Sequence, residues 1–186
     1  MPLVNFLIKY FNRVIFKDIE VFLIDDHSMI VPNDTGVIKL IVNSENLGIG
    51  KVRQLGIDIS SGEYIVFIDA DDLIVEDYVE IILDAIKTDL DVYEFLAISY
   101  PEGDLELFNG MPARGLVWNK VYKRAFIEKN NCRFEPNRCE EDLNFNENVY
   151  SCNPSIGYRN KILYIYNNLT AGITSPGYLR QTNLFE

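Results

Sequence analysis

The run EYIVFI, from Glu63 to Ile68, constrains this chain most, because it stops abruptly at Asp69-Ala70-Asp71-Asp72. Six nearly continuous apolar and β-branched positions read as a strand buried on both faces. Two shorter runs share that character: Glu20 to Ile24 (EVFLI), which ends in Asp25-Asp26, and Ile38 to Val42 (IKLIV). Between strands, Ile49 to Ile59 reads as a helix with Ile49, Val52, Leu55, Gly56 and Ile59 inward, stopped by Ser60-Ser61-Gly62. Glu76 to Lys87 reads as another, with Val79, Ile82, Leu83 and Ile86 on one face. Strand and helix in alternation predict an α/β fold: a mostly parallel sheet flanked by helices.

Elsewhere the pattern is less regular. Leu3, Phe6, Leu7, Tyr10, Phe11 and Val14 recur at helical spacing, so the first segment is expected to be a helix; a strand over Leu3 to Asn12 is the lesser alternative. Val92 to Ser99, Leu105 to Phe108 and Lys161 to Tyr166 read as strands, and Lys123 to Asn130 and Glu140 to Val149 as helices. The 186 residues suit a single domain, 1–186. It divides into a Rossmann-like nucleotide-binding half (about 1–90), a smaller acceptor half (91–174) and a tail (175–186).

A net charge of −11 argues against nucleic acid or an anionic membrane as a general partner, since either needs a basic face. An anionic substrate stays open, because a bound cation inverts the local field. Cys132, Cys139 and Cys152 lack CxxC spacing and read as free thiols in a reducing compartment, which gives a cytoplasmic expectation. No apolar run reaches membrane-spanning length, and the first residues lack the features of a signal peptide.

Two strands ending in acid pairs put both pairs along one edge of an open sheet, where ligands bind. Two carboxylates about 4 Å apart repel by ~1 kcal/mol in water and ~4 kcal/mol at an effective dielectric near 20. A cation offsets that repulsion, and oxygen-only ligands suit Mg²⁺ or Mn²⁺. Asp-rich turns and helix caps are equally ordinary uses of such residues, so spacing alone does not choose.

Context does. EVFLIDDHS (Glu20 to Ser28) resembles the strand and D-D-G-S motif of family 2 glycosyltransferases. NLGIGKVRQLGIDISSGEYIVFIDADD (Asn46 to Asp72) is similar to that family's Asn-x-Gly, Arg, Gly-Glu-Tyr-Ile and D-x-D-D sequence, in order. VWNKVYKRAFIEKNN (Val117 to Asn131) with Glu141-Asp142-Leu143 resembles its W-N-K-x-Y-K-R block and E-D motif, and ILYIYNNLTAGIT (Ile162 to Thr174) its closing strand and turn. The resemblance implies a GT-A fold and metal-dependent, inverting transfer from a nucleotide sugar, most often a UDP-sugar. It places Asp26 near the base, Asp69 near the ribose and metal, Asp71 on Mn²⁺ or Mg²⁺, Arg53 near the nucleotide and Asp142 as general base. The implied partners are a nucleotide-sugar donor and a glycan, surface-polymer or lipid-linked acceptor; peripheral membrane association and the oligomeric state stay open.

The resemblance has departures. Family members normally begin with a strand before the first helix, and the residues before Asp18 supply only one of those elements. His27 stands at a usual Gly, and Gln54 follows Arg53 where Asn is usual. A degenerate, non-catalytic nucleotide- or partner-binding member is the alternative reading; a nucleotidyltransferase is weaker, for want of a Gly-rich activation loop. Trp118 could stack on a sugar, though core packing is the plainer use, and Gly48-x-Gly50 is a weak phosphate-loop signal.

Overall fold

The computed structural model describes residues 2–14, 18–33, 35–101, 107–108, 111–112, 115–135 and 140–167. The expected tail, the turn after Asn167 and Cys139 lie outside them. The chain opens with helix α1 (Pro2–Arg13), as the spacing predicts; Leu3, Ile8, Tyr10 and Phe11 are buried. Strands β1 (Phe22–Asp25) and β2 (Lys39–Val42) pair in parallel, Phe22 opposite Lys39. Helix α2 (Ile49–Ile59) leads to β3 (Tyr64–Val66), the short β4 (Leu73–Ile74) and α3 (Tyr78–Ala85), which tightens into a 3-10 turn over Ile86–Thr88. The second half holds β5 (Val92–Tyr100), the two-residue strands β6 (Leu107–Phe108) and β7 (Met111–Pro112), β8 (Lys120–Lys123), α4 (Arg124–Lys129), α5 (Glu141–Ser151) and β9 (Ile156–Asn167).

The main sheet has five strands in the order β3-β8-β5-β9-β4. Its direction corrects the expectation of a mostly parallel sheet. Only β5–β9 is parallel within it, while β8 lies antiparallel between β3 and β5, and β4 runs antiparallel to β9. Burial on both faces, expected of EYIVFI, holds for β5 but not for the edge strand β3, where Val66 is exposed, and a continuous apolar run says nothing of the direction of its neighbours.

Side chains alternate across this sheet and build two cores. Tyr64, Ile68, Tyr93 and Phe95 face one core, which α1 and α3 close with Ile8, Tyr10, Phe11, Tyr78 and Val79. Ile65, Phe67, Val92 and Tyr122 face the other, closed by Ile57 of α2, Ile127 of α4, and Phe145 and Val149 of α5. Each fully buried large apolar side chain contributes about 1.5–3 kcal/mol relative to exposure. Both cores draw on residues from each side of residue 90, so the two halves share them.

Two details position the site. First, β1 and β2 form a sheet of their own, and Glu20, just ahead of β1, accepts hydrogen bonds from the Ser61 amide and hydroxyl and the Gly62 amide, just ahead of β3. Those bonds, led by the Ser61 amide, hold the Glu20 carboxyl down at about 2. Second, α2 buries Arg53 and Ile57, whereas Ile49 and Ile59, expected inward, are exposed. The inward face was misjudged because it centres on an arginine, whose burial is compensated by charge.

Candidate active site

Arg53 extends from the second turn of α2 and is 7% exposed. Its Nη2 donates to Asp69 Oδ1 at 2.8 Å, and its Nη1 donates to Glu141 Oε1 at 3.0 Å and to Asp142 Oδ1. One cation therefore gathers the end of β3 and the first turn of α5, which are far apart in sequence. Burial works against the charged guanidinium, but Asp69, Asp142 and Glu141 outweigh it and raise its pKa. The Phe134 ring lies 6.0 Å beneath it. Three carboxylates on one guanidinium leave the cluster net negative, which suits a site awaiting a further cation.

Asp142 is lifted to about 6, first by burial and then by Asp69 and Glu141, against the pull of Arg53. A carboxylate near that value accepts a proton at neutral pH more readily than an ordinary aspartate. Its Oδ2 lies 3.4 Å from the Val117 amide.

The acid loop is gripped from behind. Tyr164 Oη accepts from the Asp69 amide at 3.0 Å and donates to Asp72 Oδ2 at 2.8 Å. The Asn167 amide donates to Asp72 Oδ1, and the Asn167 side chain donates to the Asp71 carbonyl. Asp72 is thus a buried anchor, pushed up to about 6 chiefly by burial. Asp71, in contrast, is exposed, and its carboxylate makes no hydrogen bond or ion pair among the described residues.

Among the described residues no three His, Cys, Asp or Glu are grouped to hold a metal ion by themselves. The donor set fits a less demanding site. The Asp71 carboxylate is uncommitted, and Asp69 keeps Oδ2 beyond its contact with Arg53. One or two carboxylates with waters and substrate phosphates are the usual shell of Mg²⁺.

Asp26 is not among the partners of Arg53 and lies instead at the turn just ahead of α2. Its carboxylate accepts from the Leu47 and Gly48 amides, each at 2.8 Å, and from Asn43 Nδ2 at 3.0 Å. Burial opposes ionisation, but these bonds prevail and lower its pKa. Gly48 has φ 85, a left-handed conformation that glycine adopts without strain, and its amide reaches back to Asp26 rather than outward to a phosphate. His27 also has positive φ, 66, which accounts physically for the glycine usual at that position. Trp118 is 4% exposed and stacks on both Tyr164 and Tyr166, so it serves the core and is closed to a sugar. Of two surface cavities, one lined by Lys123, Lys129 and Cys152 and the other by Glu80, Arg159 and Lys161, neither includes an acid of the cluster.

The fold thus brings together Arg53, Asp69 and Asp142, places Asp71 on the same loop as Asp69, and ties Asp26 into the turn ahead of α2. The sequence did not single out Glu141 on Arg53, or Tyr164 and Asn167 behind the loop. Glu141 was legible only as the glutamate of the E-D motif, with no role of its own, and Tyr164 carried no signal beyond the closing strand.

The sequence model of glycosyl transferase family 2 matches residues 3–140. EpsH of Bacillus subtilis strain 168 is 34% identical over 151 residues, covering 68% of this chain and 43% of that protein. Glycosyltransferase GlyA of Streptococcus pneumoniae serotype 4 is 27% identical over 202 residues, covering 87% of this chain and 28% of that protein. The chain therefore spans less than half the length of these relatives. Among solved structures, S. aureus TarS 1-349 in complex with UDP-GlcNAc superposes with a TM-score of 0.74 at 20% identity, covering 89% of this chain and 55% of that one. The mannosyltransferase PcManGT from Pyrobaculum calidifontis, in complex with GDP-Man and Mn²⁺, superposes with a TM-score of 0.64 at 13% identity, covering 92% and 55%. The GT-A architecture is shared with these structures, and since the family model accounts for most of the sequence, the chain belongs to glycosyl transferase family 2.

Proposed function

We propose that this chain is a metal-dependent, inverting glycosyltransferase that moves a sugar from a nucleotide sugar, most simply a UDP-sugar, to a hydroxyl of a glycan, lipid-linked or surface-polymer acceptor. The observation that carries this is the Arg53 bridge, which holds the Asp69 loop beside a carboxyl lifted to about 6. In this reading Asp142 takes the proton of the acceptor hydroxyl as its oxygen attacks the anomeric carbon and the bond to the diphosphate breaks. Asp71 and Asp69 hold Mn²⁺ or Mg²⁺, which supplies positive charge against the leaving diphosphate. Asp26 shapes the pocket for the base through the loop before α2, and Arg53 orients both acid groups. TarS binding UDP-GlcNAc and PcManGT binding Mn²⁺ support the choice of donor class and metal.

A second reading is a non-catalytic member that binds a nucleotide or a partner. It is favoured by Asp26 and Arg53, whose polar atoms are already engaged by the chain itself. Thermal shift with UDP, with and without Mn²⁺, and UDP release from UDP-sugars separate the two. The enzymatic reading expects metal-dependent stabilisation that Asp71→Ala loses, and transfer that Asp142→Asn abolishes with UDP binding intact. Stabilisation by UDP without turnover of any donor and acceptor tried would favour the second reading.

A further inference from the structure

Asp142, Asn146 and Tyr150 recur at four-residue steps on α5 and so share one face of that helix. Each docks on a different element. Asp142 meets Arg53 of α2, Asn146 Oδ1 accepts from Tyr122 Oη of β8 at 2.7 Å, and the Tyr150 hydroxyl donates to Glu94 of β5. Tyr122 and Glu94 are 0% exposed and Asn146 is 1% exposed, so the middle of the stripe is buried, with Asp142 and Tyr150 half-buried at its ends. Beside it, Phe145 packs on Phe67, Tyr122 and Phe134, and Val149 lies in the same core.

Those apolar contacts hold α5 against the sheet but are non-directional, and a helix can turn about its axis while keeping much of them. A hydrogen bond prefers a near-linear donor angle and does not tolerate that turn. The Tyr122–Asn146 bond brings little net stability, because Asn146 Nδ2 is buried with no hydrogen-bond partner among the described residues. A leucine at 146 with a phenylalanine at 122 would fill the core without stranding a donor. What the polar pair adds is a fixed angle, one helical turn from Asp142.

We infer that Tyr122 and Asn146 are positioning residues: their hydrogen bond sets the rotation of α5 and thereby the aim of the Asp142 carboxylate. This rests on the reading of Asp142 as the base. Neither residue touches the reacting groups; they act through the helix.

The test uses Tyr122→Phe, Asn146→Leu and the double variant, each checked for folding by circular dichroism. The rate of UDP release is measured with whichever of UDP-glucose, UDP-galactose and UDP-N-acetylglucosamine the wild type turns over. Between about tenfold and a hundredfold loss in kcat is expected, with donor KM unchanged, since a misplacement near 1 Å has effects of that size. The double variant is expected to be no worse than either single one, because all three break the same contact. A crystal structure of a folded variant gives a reading independent of turnover, and it should show the Asp142–Arg53 contact displaced. A folded variant with wild-type kcat, or with that contact intact, overturns the inference; loss of folding in both single variants overturns it too, by making the pair structural. Asp142→Asn is the separate control: wild-type transfer in that variant removes the base, whatever Tyr122 does.

Discussion

The Tyr164 hydroxyl donates to Asp72 Oδ2 at 2.8 Å, so a strand late in the chain grips the acid loop formed much earlier. The same oxygen accepts the Asp69 amide, which makes one phenol the common support of both ends of that loop. Tyr164→Phe keeps the stack on Trp118 and removes only these bonds. We expect a loss of about 1–3 kcal/mol in urea denaturation, the cost of leaving buried partners unmet, and weaker metal-dependent binding of UDP.

Asp72 gives a pH dependence of defined sign. Its folded pKa, about 6, is raised above the ordinary value of 3.8, so its favourable contribution is complete below 3.8 and is lost as pH rises through 6. Relative to Asp72→Asn, the wild type should gain stability as pH falls from 7 to 4, by on the order of 2 kcal/mol. Chemical denaturation at several pH values checks this, and a difference that does not change with pH would contradict it.

Glu20 has the opposite sign. Its carboxyl is held down at about 2, first by the Ser61 amide, from an ordinary value of 4.5. The stabilisation is present above 4.5 and lost as pH falls through the folded value. Glu20→Gln should cost on the order of 2 kcal/mol at pH 7, as for hydrogen bonds to a charged group, and the deficit should shrink steadily below pH 4.

Removing the central cation should be the most damaging single change. Arg53→Met leaves Asp69, Glu141 and Asp142 facing one another without compensation. A loss of about 3–5 kcal/mol at pH 8 is expected, as for other broken buried pairs. Part of it should return at pH 5, below the raised value of Asp142, about 6, where that carboxyl is protonated, and melting curves at both pH values would test this. Arg53→Lys should recover only part of the loss, because a single ammonium lacks the planar fork that reaches Asp69 through one nitrogen and Glu141 and Asp142 through the other.

Much of this was legible in the sequence, for identifiable reasons. Apolar spacing gave α1 as a helix, and the limits of α2 follow from Ser60-Ser61-Gly62 and the apolar run behind them. The Asp69–Asp72 loop announced itself because a strand ends there in acids. The inward face of α2 did not, since Arg53 belongs inside only once three acids from elsewhere arrive. The direction of β8 is set by tertiary pairing between β3 and β5, which no local pattern encodes. Strand β4 is two residues long and exists through its contact with β9. Tyr164 acts across a separation that no periodicity spans.

Helix α2 touches both ends of the proposed donor site. The amides just ahead of it hold Asp26, and Arg53 within it holds Asp69 and Asp142. Asp26 follows the two-stranded sheet, whereas Asp69 follows a strand of the five-stranded one. The five steps from Gly48 to Arg53, about 8 Å of helix rise, thus tie together two separately built platforms. A change of register within that turn and a half would therefore move one platform against the other.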